Sequence, residues 1–389
     1  MRLLYITAEV PWPLASGYLR HFHFLSALGQ RHEVTHLSLT RRGELSPEAA
    51  QALEPLVRRL RVFGAANSGG GSLRRAAGLR RAARRLATAA NEHLHDEAFD
   101  AVLLSGKDTF PAMAALNGTP VVIDVCDATS LRVRGELAVA PLRRRPALAL
   151  RLAELRRVER RLAGATTHLV FASERDRAAT VGRHGSGRVV PNAVDLEQWT
   201  RRDRAQPGGA RIAFTGVMGY SPNHDAALRL ARDILPRVQR EVPAAELVLA
   251  GRDPRAELLA AANGRPQIDV TGSAPDLRPH LEGAAVYCAP LRFASGIQNK
   301  LLEAMAMEMP VVTTAVAADG LAVDGEQPPL IVADDDEAIA AALTRLLGDP
   351  EERTRLARAG REYIERHFSW ERSTDQLEAE LAIAAGERS

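Results

Sequence analysis

The stretch 291–314, LRFASGIQNKLLEAMAMEMPVVTT, constrains the fold of this chain more than any other. An apolar run typical of a buried strand precedes it, and a loop with Ser295 and Gly296 comes next. Residues 297–308 have helix composition, and the β-branched run 310–312 opens another strand. Strand, glycine loop, helix and strand in this order form one unit of a parallel sheet, so the sequence predicts an α/β fold.

The glycine loop leads into the N-terminus of this helix at the carboxyl edge of the predicted sheet. Free backbone N–H groups and the positive end of the helix dipole suit a phosphate there. Lys300 and Glu303 follow Asn299 in the helix and share a face, because they are three residues apart. The lysine can meet a diphosphate while the carboxylate accepts hydrogen bonds from sugar or ribose hydroxyls. The alternative is a buried amphipathic helix with two surface charges.

Lysine is rare in this chain. Of its 51 lysines and arginines, only Lys107 and Lys300 are lysines. Codon bias of a genome explains the excess of arginine and says nothing about function. A lysine kept against this bias is expected where a compact, flexible charge is needed rather than a planar guanidinium, which favours Lys300 and Lys107 as functional residues.

Length and composition favour two ordinary domains in a cytoplasmic protein. A chain of 389 residues with 46% apolar residues can build two cores. Cys126 and Cys288 lie in apolar runs and are predicted to be small buried hydrophobes in a reducing compartment. No stretch reaches the roughly 20 apolar residues that span a bilayer. The N-terminus has no signal-peptide pattern, because its apolar run is short and predicts a strand.

Strands alternate with helices along the chain, which predicts parallel sheets. Predicted strands are 2–7, 33–40, 100–105, 120–125, 167–172, 188–191, 211–215, 246–250 and 268–270. Predicted helices include 46–61, 73–86, 224–240, 334–348 and 351–368, with a polar linker at 200–210. Several strands of the second half end in glycine, at Gly216, Gly251 and Gly272, which places flexible backbone along one sheet edge.

In the first half, polar residues and a glycine follow three predicted strands. Gly17 lies in the loop after the first strand and allows close approach of a ligand, or it forms an ordinary turn. Arg20, three residues on, can contact an anion. Lys107 and Asp127 follow two later strands and are candidates for ligand contact, for a helix cap or for surface charge. No G-x-G-x-x-G is present, so the dinucleotide fingerprint is missing.

Positive charge is concentrated in the first half, which carries +10 against −7 for the remainder. Residues 73–86 form an amphipathic basic helix that lies on an anionic membrane surface or is a solvated face. The basic stretch 143–162 favours the membrane interpretation. Nucleic acid is disfavoured, because neither stretch has interleaved aromatic residues and no binding motif is present. The arginines of the first stretch are at positions 74, 75, 80, 81, 84 and 85.

These segments together resemble the retaining, nucleotide-sugar-dependent glycosyltransferases of family 4, and within that family the polysaccharide-biosynthesis sugar transferases. GIQNKLLEAMAMEMPVV at 296–312 carries the most specific resemblance. The other segments are FTGVMGYSPN, LVLAGRDP and VTGSAPDL in the second half, and VPNAVD, FASERD and the Gly17 loop in the first. The resemblance extends over nearly the whole chain.

The resemblance implies a GT-B fold, in which two Rossmann-like parallel-sheet domains face each other across a cleft. Residues 1–200 would be the acceptor-side domain, with a C-terminal helix at about 371–389 packing back on it. Residues 201–370 would bind the nucleotide-sugar. The implied reaction moves the sugar to a sugar or lipid-linked acceptor with retention of configuration, without a metal or other cofactor. Peripheral contact with the inner face of an anionic membrane fits the basic first half.

The resemblance also assigns the site residues. The amides of the Gly296 loop, the helix dipole and Lys300 would stabilise the leaving diphosphate, and Glu303 would hold ribose hydroxyls. Asp127 joins Lys300 and Glu303 as a catalytic candidate. The donor-binding candidates are Gly216, Gly251, Arg252, Gly272, Ser273, Ser295, Gly296, Ile297 and Asn299. Gly17, Arg20 and Lys107 are the candidates for the acceptor or phosphate side.

Two departures from the family pattern change the expected donor contacts. The family's usual glutamate is replaced by Ser295, and the loop GVMGYSPN lacks the usual basic pair. Lys300, with Arg20 or Arg292, would then balance the diphosphate. Two alternatives are a GT-B sugar-nucleotide epimerase, which needs added acid/base carboxylates, and a sugar-nucleotide-binding subunit with little activity of its own. Release of free nucleoside diphosphate from a nucleotide-sugar discriminates among them.

Overall fold

The computed structural model describes residues 1–12, 19–40, 44–64, 72–116, 118–166, 168–202 and 209–386, with the side chains of 72–76 and 107–108 excepted. The chain divides into two compact units. Unit 1 comprises Met1–Ala128, Ala153–Asn192 and Trp370–Ser389, and unit 2 comprises Thr129–Leu152 and Ala193–Ser369. The segment Thr129–Leu152, which lies in the first half of the sequence, is therefore part of unit 2.

Each unit is built on one parallel sheet. In the described residues the strand order is β3-β2-β1-β4-β5-β6-β7 in unit 1 and β10-β9-β8-β11-β12-β13 in unit 2. The strands are β1 (Arg2–Thr7), β2 (Glu33–Thr40), β3 (Arg59–Gly64), β4 (Ala101–Ser105), β5 (Val121–Cys126), β6 (Leu169–Phe171), β7 (Arg188–Val189), β8 (Arg211–Thr215), β9 (Glu246–Ala250), β10 (Ile268–Gly272), β11 (Val286–Ala289), β12 (Val311–Thr313) and β13 (Ile331–Val332). Both orders are Rossmann-like, and the predicted α/β fold with two parallel sheets is confirmed.

Helices connect the strands of both sheets. They are α1 (Leu19–Arg31), α2 (Pro47–Leu53), α3 (Ser72–Asp96), α4 (Thr129–Val139), α5 (Arg145–Ala163), α6 (Glu174–Val181), α7 (Ser221–Arg229), α8 (Leu235–Val238), α9 (Ala256–Ala262), α10 (Arg278–Glu282), α11 (Asn299–Ala306), α12 (Ala315–Ala318), α13 (Asp336–Gly348), α14 (Pro350–His367) and α15 (Trp370–Ala384). Short 3₁₀ turns cover Glu54–Leu56, Lys107–Ala115, Leu142–Arg144 and Asp319–Leu321, and a π-helical turn covers Leu230–Ile234. The C-terminal helix α15 packs within unit 1, where Leu377 and Leu381 join the apolar core.

Residues 46–61 do not form the single helix predicted from the sequence, and this prediction is wrong. The helix α2 ends at Leu53, a 3₁₀ turn follows, and β3 begins at Arg59. The strand β3 lies at the edge of its sheet, where Arg59 and Arg61 are exposed and only Phe63 is buried. An edge strand with arginines on its exposed face lacks the apolar run that reveals a central strand.

The predicted basic helix is confirmed and longer than expected, but its apolar face is already occupied. In α3, Ala82, Ala83, Leu86, Ala89 and Ala90 are buried in the core of unit 1. Arg80, Arg81, Arg84 and Arg85 lie on the exposed face. This helix therefore cannot bury its apolar side in a bilayer while unit 1 is folded, and only its arginines are available to an anionic surface.

A buried ion pair ties the start of α1 to β5 and β7 in unit 1. Arg20 is 4% exposed and donates from Nε and Nη2 to the two carboxylate oxygens of Asp124, at 2.8 and 3.0 Å. Its Nη1 donates to the Val190 carbonyl at 2.8 Å and to Asn192 Oδ1 at 3.1 Å. Arg20 thus braces the strand ends of unit 1, and its contact with a phosphate stays a prediction.

Substitution of Arg20 by alanine is expected to lower the free energy of unfolding by about 3–5 kcal/mol, because Asp124 would be left charged and buried without its partner. Urea denaturation of the full chain measures this loss. The matched control is Arg31→Ala, which removes an exposed ion pair with Asp375 and Glu378 and should cost at most about 1 kcal/mol. Equal losses in the two variants would contradict the structural role of Arg20.

Candidate functional site

The centre of the candidate site in unit 2 is a close approach between the ends of β8 and β9. Gly216 and Gly251 have φ angles of +149° and +147°. A Cβ atom on Gly251 would lie 1.8 Å from the carbonyl oxygen of Gly216, so only glycine fits at this position. Met218 N–H donates to the Arg252 carbonyl at 2.8 Å and extends the contact between the two loops.

Lys300 and Asn223 converge on Gly216. A Cβ atom on Gly216 would lie 2.6 Å from Asn223 Nδ2 and 3.4 Å from Lys300 Cε. The glycine loop at the end of β8, the first turn of α7 and the first turn of α11 therefore meet at one place. The structure thus brings together Gly216 and Lys300, two candidates that are distant in the sequence.

The loop before α11 is held by Gln298, a residue that the sequence analysis did not single out. Its Nε2 donates to the Ser295 carbonyl at 3.0 Å, and its Oε1 accepts a hydrogen bond from Lys300 Nζ at 3.1 Å. The Gly296 backbone has φ +65°, and a Cβ atom on Gly320 would lie 3.0 Å from its carbonyl oxygen. Gln298 therefore fixes both the turn at Ser295 and the position of the Lys300 ammonium.

Lys300 and Glu303 are half-buried and perturb each other. Both residues are described, and no ion pair within 4.0 Å joins them. Burial lowers the pKa of Lys300 to about 8, and the charge of Glu303 opposes this shift. Burial raises the pKa of Glu303 to about 7, and the charge of Lys300 opposes it. The site thus holds an ammonium and a partly protonated carboxyl at neutral pH, an arrangement common at functional sites.

Affinity for a nucleoside diphosphate is expected to fall as the pH rises above about 8, because Lys300 of the free enzyme then loses its proton. Ionisation of Glu303 near pH 7 adds a second step, in which the negative charge near the diphosphate opposes the gain of a stronger acceptor for the ribose hydroxyls. Calorimetric titration of the protein with a nucleoside diphosphate across this range measures both steps. In Lys300→Arg the upper step should disappear, since a guanidinium stays charged. Persistence of that step in this variant would assign it to another group.

Asn223 is the second residue that the sequence analysis missed. It is 4% exposed, and its Nδ2 donates to the Val217 carbonyl at 3.1 Å. Its Oδ1 is buried and accepts no hydrogen bond from the described part of the chain. An unpaired buried acceptor costs about 1–3 kcal/mol, so this atom is suited to accept a hydrogen bond from a ligand or from the nearby ammonium. The sequence contains one signal for Asn223. It ends the stretch GVMGYSPN, which lacks the basic pair usual in the family.

The helix α4 supports the β8 loop from outside. Ser221 Oγ donates to Glu136 Oε1 at 2.9 Å, and Arg132 pairs with Glu136 at 3.4 Å. The Arg132 guanidinium also lies over the Tyr220 ring, 5.5 Å from its centroid. Arg132 and Glu136 are buried, which makes α4 a rigid support for the loop between Gly216 and Asn223. The sequence analysis predicted no helix at this place.

The remaining donor-side candidates lie at the same edge of the sheet. Gly251 N–H donates to Thr271 Oγ1 at 3.3 Å, which joins the ends of β9 and β10 beside Gly272 and Ser273. Arg252 is exposed and pairs with Asp253 at 3.2 Å. Arg292, which was predicted with Arg20 as a further basic group at the diphosphate, is exposed and donates from Nε to Asp225 at 2.8 Å. The side chain of Ile297 is buried, whereas Asn299 is half-buried.

The candidates of unit 1 are described only in part. Asp127 follows β5, immediately before α4, and is half-buried. Gly17 lies outside the described residues, and for Lys107 only the backbone is described, at the start of a 3₁₀ turn. The predictions for these three residues remain predictions.

Comparison with known families identifies the part of unit 2 that carries this geometry. Residues 209–349 match the family model described as "Glycosyl transferases group 1". This segment is therefore similar to the group 1 glycosyltransferases. It contains Gly216, Asn223, Gly251, Lys300 and Glu303, and so covers the whole cluster described above.

Several mycobacterial enzymes are similar to about half of this chain. A phosphatidyl-myo-inositol mannosyltransferase of Mycobacterium leprae (strain TN) is 29% identical over 197 residues, 48% of this chain and 51% of that protein. An MMP alpha-(1->4)-mannosyltransferase of Mycolicibacterium hassiacum is 32% identical over 206 residues, 50% of this chain and 48% of that protein. This chain thus matches about half the length of these relatives.

Solved structures are similar over nearly the whole chain. Sucrose-phosphate synthase (tll1590) from Thermosynechococcus elongatus has a TM-score of 0.73 at 17% identity and covers 97% of this chain and 98% of its own. Anabaena Alr3699/HepE, solved in complex with UDP and glucose, has a TM-score of 0.71 at 14% identity and covers 98% and 100%. The fold of this chain is therefore of the GT-B type, with two Rossmann-like units.

Proposed function

We propose that this protein is a hexosyltransferase that moves a sugar from a nucleoside-diphosphate sugar to an acceptor with retention of configuration. The observation that carries the proposal is the convergence of Lys300 on the Gly216 loop at the N-terminus of α11, inside the segment similar to the group 1 glycosyltransferases. An ammonium and a helix N-terminus both stabilise the negative charge that grows on a leaving diphosphate. The complex of Alr3699/HepE with UDP and glucose supports a uridine nucleotide as the donor.

Each donor-side residue then has a defined task. Lys300, held by Gln298, faces the diphosphate. The glycine backbone of the Gly216 and Gly296 loops lets the diphosphate approach closely. Glu303, one turn further along α11, accepts hydrogen bonds from ribose hydroxyls. Ser295 stands where the family has a glutamate, so the donor sugar meets a hydroxyl instead of a carboxylate. We propose that Lys300, the N-terminus of α11 and the loop amides together balance the charge of the diphosphate, so that no metal ion is needed.

We assign acceptor binding to unit 1 and to the residues at the ends of its strands. Asp127 follows β5 and is the candidate to contact the acceptor hydroxyl. The mycobacterial relatives are named as mannosyltransferases, one of them acting on a phosphatidyl-myo-inositol, which supports a lipid-linked or otherwise anionic acceptor. We place the reaction in the cytoplasm, at the inner face of the cell membrane.

The test is a panel of nucleotide-sugars assayed for release of free nucleoside diphosphate, with and without lipid-linked and soluble sugar acceptors. Release that depends on an acceptor, insensitivity to a metal chelator and an NMR spectrum of a product with retained configuration would support the proposal. Inverted configuration or loss of activity with chelator would overturn those parts of it. Tight binding of a nucleotide-sugar, with no release of nucleoside diphosphate in the presence of any acceptor, would instead favour a binding subunit. The replacement of the family's glutamate by Ser295 is the reason to consider this alternative.

A further inference from the structure

A short surface segment of unit 2, residues 139–151, exposes leucines in an unusual way. Leu142 is 77% exposed and Leu150 is 65% exposed, while Val139 is 39% exposed. Single exposed apolar residues are common on soluble proteins, but two largely exposed leucines within nine residues of chain are not. We call residues 139–151 the basic-apolar segment.

The same segment carries positive charge and no acidic residue. Arg143, Arg144, Arg145 and Arg151 are exposed, and the stretch 137–153 contains neither aspartate nor glutamate. Arg144 lies 3.6 Å from Glu136, and Arg145 donates to the Ala140 carbonyl at 3.0 Å. Arg143 and Arg151 directly follow Leu142 and Leu150 in the sequence and add further charge. A partner for this surface must therefore be anionic and must accept apolar side chains.

The packing of α5 shows that Leu150 does not belong to the protein core. Leu148 and Leu152, on either side of it, are 7% and 8% exposed and form the inner face of the helix. Leu150 lies on the opposite face, because neighbours two residues apart in a helix point about 200° apart. Leu142 precedes this helix in a 3₁₀ turn whose three residues are all exposed.

Within the described residues, no helix is long and apolar enough to cross a membrane.

We propose that the basic-apolar segment docks unit 2 on an anionic membrane surface. Leu142 and Leu150 enter the boundary between headgroups and acyl chains, and the surrounding arginines contact lipid phosphates. The amphipathic pattern in the sequence predicted membrane contact through α3 instead. The apolar face of α3 is buried in unit 1, whereas Leu142 and Leu150 are exposed. The proposal does not require nucleotide-sugar turnover, so vesicle binding and diphosphate release test the two proposals separately.

The experiment is sedimentation of the full chain with vesicles of phosphatidylcholine alone and of phosphatidylcholine mixed with phosphatidylglycerol. We expect binding to the anionic vesicles that weakens with added salt. The double variant Leu142→Asp/Leu150→Asp should bind at least about tenfold more weakly, since it loses both apolar anchors. Arg143→Glu/Arg151→Glu should also lose at least about thirtyfold, because it removes two positive charges that are each worth about 1 kcal/mol near the membrane.

Two matched controls locate the contact. Leu259→Asp changes an exposed leucine on α9 that is 48% exposed and lies outside the segment, so its vesicle binding should equal that of the parent. Arg84→Glu/Arg85→Glu changes the exposed face of α3 and should reduce binding less than the Arg143/Arg151 pair. Absence of parent binding, parent-like binding of the double leucine variant, or a larger loss in the α3 variant would each overturn the proposal. Diphosphate release with a soluble acceptor should stay at the parent rate in the leucine variant.

Discussion

Replacement of Lys300 by alanine is expected to reduce nucleotide-sugar turnover by at least about a hundredfold, the scale for losing one group that stabilises developing charge. The lysine lies beside the Gly216 loop, and Gln298 holds its Nζ at 3.1 Å. The negative charge on the leaving diphosphate grows as the glycosyl bond breaks, so the loss should fall more on kcat than on donor affinity. Steady-state kinetics with acceptor present, together with direct titration of the donor, separates the two quantities.

The control for Lys300→Ala is a basic residue nearby in the sequence that has another partner. Arg292 is exposed and donates to Asp225, so Arg292→Ala should retain turnover close to that of the parent. A near-normal rate in Lys300→Ala would reject the assigned role of the lysine. A large loss in Arg292→Ala with a small loss in Lys300→Ala would move the diphosphate contact to Arg292, which the sequence analysis named, with Arg20, as a further basic group at the diphosphate.

The donor side of the site could be located from the sequence because its key residues are close together in the chain. The loop at Gly296 and the charges at Lys300 and Glu303 lie within one helix turn or two of each other. Gln298 was within the same stretch, but its role depends on the direction of its side chain, which spacing does not give. Asn223 and Lys300 come close to each other only through the fold, because both lie against Gly216 although α7 and α11 are far apart in sequence.

Central strands were predictable, and elements with charged inner faces were not. The predicted bounds of β9 agree with the structure because its apolar run is buried on both sides. The helix α4 was missed because Arg132 and Glu136 lie on its buried face, so it has no apolar stripe at helical spacing. Its charges are explained by partners that the fold brings to them, among them Tyr220 and Ser221 in the β8 loop.

The amphipathic pattern of a helix also does not show which surface its apolar face packs against. The pattern of α3 fits both a membrane surface and a protein core, and the structure shows a core contact. The exposed leucines at 142 and 150 could not be recognised in the sequence, because Leu148 and Leu152 beside them are buried. Burial of each side chain, rather than periodicity, separates the two surfaces.

Substitution of Gly251 by alanine is the second change with a large expected effect, on stability and on donor binding together. A Cβ atom there would lie 1.8 Å from the Gly216 carbonyl oxygen, a backbone atom that cannot move without displacing the end of β8. The φ angle of +147° is also one that residues with side chains rarely adopt. We expect the free energy of unfolding to fall by more than about 3 kcal/mol, the range of overpacking plus backbone strain. Urea denaturation measures this loss, and titration with a nucleoside diphosphate measures binding in the folded fraction.

The chain offers a matched control that separates backbone strain from the steric overlap. Gly264 also has a positive φ, +72°, but a Cβ atom there would meet nothing within 4 Å. Gly264→Ala should therefore cost only about 1–2 kcal/mol and leave nucleoside diphosphate affinity unchanged. Comparable losses in the two variants would mean that strain alone acts at Gly251 and that β8 and β9 tolerate separation. A Gly251→Ala protein that stays folded but binds diphosphate weakly would show that the close approach of the two strand ends serves the site more than the fold.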